Sequence, residues 1–232
     1  MSVFGKTKLL SARRPPQYGY ALLLAALMAA MLIAPVARQL GGSRTVDSLT
    51  IVVVLIAGLY AMSRRHELRN TLLILGGAFA LAHFLFFVGA DSKTGQIGVD
   101  LTAIFFFGFV VIAIIQDVLS RTDNVSWGLI YGALSAYLLM GVVFALAFSL
   151  LSVFDPASFD GISRSAGDDF TSFIYLSFVT LTTLGYGDIT PGTQIAGSFL
   201  IFEALVGQIY LTVLVARLVG MHISAEVSDL ND

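Results

Sequence analysis

The feature that most limits what this chain can become is its set of long apolar runs. Six stretches, 18–36, 49–62, 71–89, 97–119, 127–153 and 193–220, carry almost no charge. A helix needs about 20 mostly apolar residues to cross the hydrocarbon core of a bilayer. Of the 232 residues, 57% are hydrophobic and 12% charged, whereas soluble domains carry about 25% charge. The pattern predicts an all-α integral membrane protein with six transmembrane helices. The second stretch is short, so its helix starts nearer Thr45 or lies buried among its neighbours. The chain has no cysteine, which excludes a disulfide framework and a thiolate metal site. His66, His83 and His222 lie far apart, and their spacing suggests neither a metal site nor a nucleophile with its base.

Basic residues give the sidedness. With the N-terminus inside, the cytoplasmic segments hold nine cations: Lys6, Lys8, Arg13, Arg14, Arg64, Arg65, Arg69, Arg121 and Arg217. The other side holds four: Arg38, Arg44, Lys93 and Arg164. This is the direction of the positive-inside rule and places both termini in the cytoplasm. The turn Arg64-Arg65-His66-Glu67-Leu68-Arg69 reads as a topogenic charge cluster at the headgroups, or as a specific lipid or ligand site. The first run has a second reading. Four cations ahead of it and Ala34-Pro35-Val36-Ala37 at its end also fit a secretory signal. The run is long for such a signal, and cleavage would leave the sidedness of the later spans unchanged.

After the fifth run, 155–169 is rich in Asp, Ser and Gly and reads as a loop. The next stretch, 170–182, is apolar or hydroxylic but too short to cross, which suits a re-entrant helix. Asp168 or Asp169 is its expected N-cap, ahead of Thr171 and Ser172. Thr-Leu-Thr-Thr-Leu-Gly-Tyr-Gly-Asp follows over 180–188, and then a full span. An ion crossing lipid needs protein oxygens in place of its hydration shell, and backbone carbonyls supply them when successive C=O groups face one axis. That geometry requires positive φ, which glycine adopts readily. Gly185 and Gly187 stand at alternate positions. The predicted ligands for such a cation are the carbonyls of Thr183, Leu184, Gly185 and Tyr186, with the Thr183 hydroxyl. One chain gives one oxygen per level, so four chains must surround the axis as a C4 homotetramer. The C-terminal end of the re-entrant helix, near Thr182, points toward the centre, where its partial negative charge favours a cation.

From about Trp127 to Gly220 the chain resembles the two-helix pore unit of the potassium-channel superfamily. The family's filter threonine falls on Thr183, its glycines on Gly185 and Gly187, its tyrosine on Tyr186 and its acidic residue on Asp188. The resemblance places an inner-helix hinge at Gly207, for which close helix packing is the alternative. It places Leu211, Val215 and Val219 along the cavity or lower gate. Three positions depart from the family's pattern. The filter valine is Leu184; its side chain points away from the axis, so carbonyl ligation survives while the packing behind it adapts. Val179 stands where some members carry a pore-helix carboxylate, and Tyr175, one turn earlier, is the candidate partner for Asp188. Glu203 lies inside the last span, where a carboxyl is costly. It either hydrogen-bonds a pore-helix hydroxyl, Ser177 or Thr180, or meets the permeating ions.

The six runs also resemble voltage-gated members, but the fourth, between Asp100 and Arg121, holds no basic residue. A charge crossing the field supplies only about 2.3 kcal/mol per 100 mV, so a helix without charge does little work. His83 reads as a packed or hydrogen-bonded interface residue, or as a pH sensor. Phe105-Phe106-Phe107 reads as lipid-facing or as core packing.

The expected organisation is a cytoplasmic segment 1–16, a four-helix transmembrane domain 17–124, a pore domain 125–220 and a short mobile tail 221–232. The expected function is passive potassium conduction through a plasma-membrane homotetramer, with no cofactor, enzymatic activity or nucleic-acid partner. A weakly selective cation channel and a non-conducting regulatory scaffold are the alternatives.

Overall fold

A computed structural model describes residues 17–39, 44–62, 66–88, 93–120, 126–162 and 169–229. Six long helices and one short one account for most of them: α1 (Gln17–Gln39), α2 (Arg44–Met62), α3 (His66–Val88), α4 (Lys93–Ser120), α5 (Trp127–Phe154), α6 (Asp169–Leu181) and α7 (Gln194–Asp229). Four are long and apolar enough to cross a membrane: α4, α5, the Leu68–Phe86 part of α3 and the Gln194–Met221 part of α7. In α1 and α2 the apolar segments are shorter, Tyr18–Ile33 and Ile51–Met62.

Helix α5 is the hub, with α1, α4 and α6 packed along it. It starts at Ser126, whose Oγ accepts the Leu129 amide at 3.4 Å. Small residues on α5 let aromatic rings approach. A Cβ on Gly132 would lie 3.1 Å from the Tyr20 ring. That ring is buried, and its hydroxyl donates to Asp117 Oδ2 of α4 at 2.8 Å. The second carboxyl of α4, Asp100, accepts from Ser149 Oγ of α5 at 2.9 Å. A carboxyl in a membrane interior is tolerated when it has such partners. Both polar ties join α5 and α1 to the helix in which voltage-sensing arginines would stand.

The aromatic run on α4 divides by face. Phe105 is exposed, while Phe106 and Phe107 are buried with Phe79. Gly76 accommodates Phe106, since a Cβ there would lie 3.3 Å from that ring. His83 lies 6.2 Å from Phe79, ring centre to ring centre. Neither of its nitrogens has a hydrogen-bond partner among the described residues, so its contacts are those of packing.

Two local expectations are corrected. The segment after α5 is not wholly loop: Pro156–Ser158 forms a 3-10 turn and Phe159–Asp160 forms strand β1. β1 pairs antiparallel with β2 (Thr190–Pro191), Phe159 opposite Pro191 and Asp160 opposite Thr190. Pairs this short have no periodicity to read in a sequence. The stretch 221–229 continues α7 rather than forming a tail; it holds no proline, and nothing in it breaks the helix. Backbone helix also runs unbroken through 34–37, with Tyr20, Leu23 and Leu27 of the same helix buried in the core. The segment 1–16, the cations Arg64, Arg65, Arg121 and Arg164, and Asp168 lie outside the described residues, while Asp169 is the first residue of α6.

Candidate functional site

The candidate site is built at the C-terminal end of α6. This helix buries Phe173, Leu176, Ser177, Val179 and Leu181. It is seated tightly on α5, where a Cβ on Gly141 would lie 2.7 Å from the Phe178 ring. It is seated equally tightly on α7, where a Cβ on Gly207 would lie 2.8 Å from Leu181 Cδ1 and 3.0 Å from Leu181 O. Of the two readings of Gly207, close packing has its contacts here, and α7 runs as one helix through it.

The chain leaves α6 through a defined cap. The Thr183 amide donates to Thr180 O at 2.9 Å and the Leu184 amide to Val179 O at 2.9 Å. This pair of bonds is the Schellman arrangement, which places a residue of positive φ immediately after the cap. Glycine usually fills that position, but here it is Thr183, with φ 60°. For a β-branched residue the conformation is strained, by roughly 1–2 kcal/mol. The Gly185 amide also reaches Val179 O, at 3.2 Å, and the Tyr137 hydroxyl of α5 donates to Leu181 O at 3.1 Å. The Thr182 amide and hydroxyl both go to Phe178 O, at 3.0 and 2.6 Å. The last four carbonyls of α6 are therefore all hydrogen-bonded, a point the helix-dipole expectation did not include. Val179 contributes through its carbonyl, which accepts from the Leu184 and Gly185 amides.

Beyond the cap, φ is positive at every second residue: 60° at Thr183, 56° at Gly185 and 77° at Gly187. Alternating the hand of successive residues turns consecutive peptide groups the same way instead of to opposite sides. A Cβ on Gly185 or Gly187 would meet nothing within 4 Å, so conformation rather than space makes glycine fitting there. The whole segment 182–188 is exposed in the single chain, Leu184 at 55% and Tyr186 at 66%.

The outer end is tied back to its own subunit. Tyr175 Oη donates to Asp188 Oδ2 at 2.8 Å, and the Tyr175 and Tyr186 rings stack with centres 6.3 Å apart and planes at 9°. The β1–β2 pair follows, with the Gly192 amide on Ser158 O at 2.9 Å. Tyr175→Phe removes the tie to Asp188 and keeps the ring stack. The lost hydrogen bond is to a charged group but lies in an exposed place, so the effect falls on the segment it holds rather than on the fold. The expected outcome is a chain that folds normally with faster amide exchange across 182–188, read by hydrogen–deuterium exchange mass spectrometry.

Glu203 is buried on α7, and its Oε1 is hydrogen-bonded to Ser177 Oγ of α6. Further along α7, Leu211 is half-buried, while Val215 and Val219 are exposed. Sequence reasoning missed four residues here: Tyr137, Gly141, Gln208 and Tyr210. Tyr210 Oη donates to Ala133 O at 2.7 Å, and its ring stacks on Tyr137. Gln208 and Thr212 are exposed, and on a 3.6-residue helix Gln208 shares a face with Val215 and Val219. A glutamine in a membrane-crossing helix is the signal that could have marked that face.

This arrangement is that of a bundle containing helices long and apolar enough to cross a membrane. Residues 133–223 match the family model described as "Ion channel". Protein LctB of Bacillus caldotenax is 34% identical over 128 residues, spanning 49% of this chain and 92% of that protein. The two pore potassium channel c of Oryza sativa subsp. japonica is 39% identical over 89 residues, 38% of this chain and 17% of that much longer protein. The chain belongs to the ion-channel family and is an integral membrane protein.

Proposed function

We propose that the protein is a potassium-selective channel, conducting passively through the centre of a homotetramer. The observation that carries this reading is the alternation of positive φ at Thr183, Gly185 and Gly187 on an exposed segment anchored to a capped helix. With peptide groups turned one way, the carbonyls of Thr183, Leu184, Gly185 and Tyr186 can replace the hydration shell of a cation. One subunit offers one oxygen per level, so the site is complete only with four. Gly187, Asp188, Thr182, Tyr175, Val179 and Glu203 support this filter, and Gly207, Leu211, Val215 and Val219 line the path or gate below it.

In this reading all six long helices cross the plasma membrane and both termini are cytoplasmic. No enzymatic role, cofactor or nucleic-acid partner enters. α4 offers no arginine to the field, and its carboxyls are hydrogen-bonded to α1 and α5. Conductance is expected to rise only shallowly with voltage, in planar-bilayer recording. A steep curve with several gating charges per subunit contradicts this.

A second reading, weak selectivity among monovalent cations, is favoured by Leu184, which stands where the family has valine and leaves its side chain uncovered in the single chain. Purified protein in liposomes decides between them. Potassium flux with a strongly potassium-selective bi-ionic reversal potential supports the first reading. Flux with a reversal potential near zero supports the second. No potassium flux, with no change on Gly185→Asp, overturns both in favour of a scaffold.

A further inference from the structure

Ser177 sits between two oxygens. Its Oγ lies 2.7 Å from Gly141 O of α5 and within hydrogen-bond distance of Glu203 Oε1 of α7. A serine hydroxyl has one proton to donate. Gly141 O, a backbone carbonyl, has none. If the Ser177 proton goes to Glu203, the contact with Gly141 is two oxygens with no hydrogen between them. If it goes to Gly141, Glu203 must supply the second proton. Both contacts are hydrogen bonds only when the carboxyl is a neutral acid.

The surroundings agree. Glu203 is 0% exposed, and its Oε2 has no hydrogen-bond partner among the described residues. Nor does it form an ion pair among them. Its charge would act on a phenol, Tyr137 of α5, on whose ring Tyr210 stacks. An ionised carboxylate would leave a charged oxygen unpartnered in the interior, at a cost of several kcal/mol. The carbonyl oxygen of a neutral acid is far cheaper to leave so.

We propose that Glu203 is a protonated carboxylic acid that donates to Ser177, which in turn donates to Gly141, so that one proton relay clamps α6 between α5 and α7. Glu203 is then a positioning residue: it holds the helix that carries the candidate filter, and acts on ions only through it. The relay lies on the face of α7 that also carries Gly207 one turn further along, in contact with Leu181. Movement of α7 at that level therefore breaks or strains the relay. This rests on the channel reading for its consequence, though not for the protonation itself.

Difference infrared spectroscopy tests the proton. The full-length protein in liposomes at neutral pH, minus the same preparation of Glu203→Gln, is expected to show the C=O stretch of a protonated carboxylic acid. A difference containing only carboxylate bands overturns the proposal. Potassium flux tests the relay. The amide of Glu203→Gln can still donate to Ser177, so its flux should stay within about twofold of wild type. Glu203→Ala and Ser177→Ala leave a buried polar group unpaired and should lose about tenfold. Equal losses in Glu203→Gln and Glu203→Ala overturn it. If Glu203→Ala does not fold, Glu203→Gln against Ser177→Ala carries the same comparison. Absence of flux from every chain, wild type included, counts against the channel reading alone, and the infrared band still decides the protonation.

Discussion

Gly185→Ala is expected to abolish potassium flux from liposomes while leaving a folded, assembled protein. The added methyl meets nothing within 4 Å in its own chain, so no core contact is disturbed. What it opposes is the backbone. Gly185 holds φ 56°, where a side chain costs roughly 1–2 kcal/mol. The proposed filter repeats this cost in four subunits, roughly 4–8 kcal/mol in all, if the strain adds. Relaxing φ to negative values turns one peptide group away from its neighbours, and a ring of carbonyls is lost at that level. Size-exclusion chromatography in detergent should be unchanged, and flux should fall by more than about a hundredfold, since 2.8 kcal/mol already corresponds to that factor. Flux near the wild-type level would show that this segment does not hold the ions.

Gly161→Ala is expected to behave in the opposite way, losing stability and conduction together. Its φ is 86°, but the larger obstacle is space. A Cβ there would lie 2.1 Å from Asp188 O, inside any allowed contact. The obstacle is backbone, not the free end of a side chain, so it cannot swing aside. Either the segment leading out of β1 or the end of the proposed filter must move, and overpacking of this kind costs about 1–3 kcal/mol per subunit. A lower midpoint of thermal unfolding, with flux reduced in the protein that remains folded, is the expected pair of results. Unchanged stability would mean that the outer clamp is loose enough to yield.

Comparison of these two glycines shows how far the sequence could be read. The requirement for positive φ at Gly185 and Gly187 follows from the pattern itself. The requirement at Gly161 does not, because Asp188 is far along the chain and meets it only after β1 and β2 have paired. The same division runs through the rest. Long helices were legible because the bilayer rewards unbroken apolar runs. The contact of Tyr175 with Asp188 was legible because helical spacing puts residue 175 one turn before residue 179, on the same face. The bond from Tyr137 to Leu181 O joins residues 44 apart, and that from Tyr20 to Asp117 joins residues 97 apart. Neither leaves a trace in local periodicity. Thr183 is the sharpest miss: β-branching argues against positive φ, and only the bonding of the cap to Val179 and Thr180 imposes it.

Three ties within the chain shape the segment 182–188: the cap on α6, the bond from Tyr175 to Asp188, and the short β pair beyond it. In the proposed tetramer, each subunit brings a quarter of the wall that its own chain already shapes. Ordering a loop on association typically costs about 0.5–1.5 kcal/mol for each side chain immobilised, and here that cost falls within monomer folding. Mixed forms of the proposed tetramer carrying one altered subunit should assemble as readily as uniform ones, with the defect confined to one side of the path.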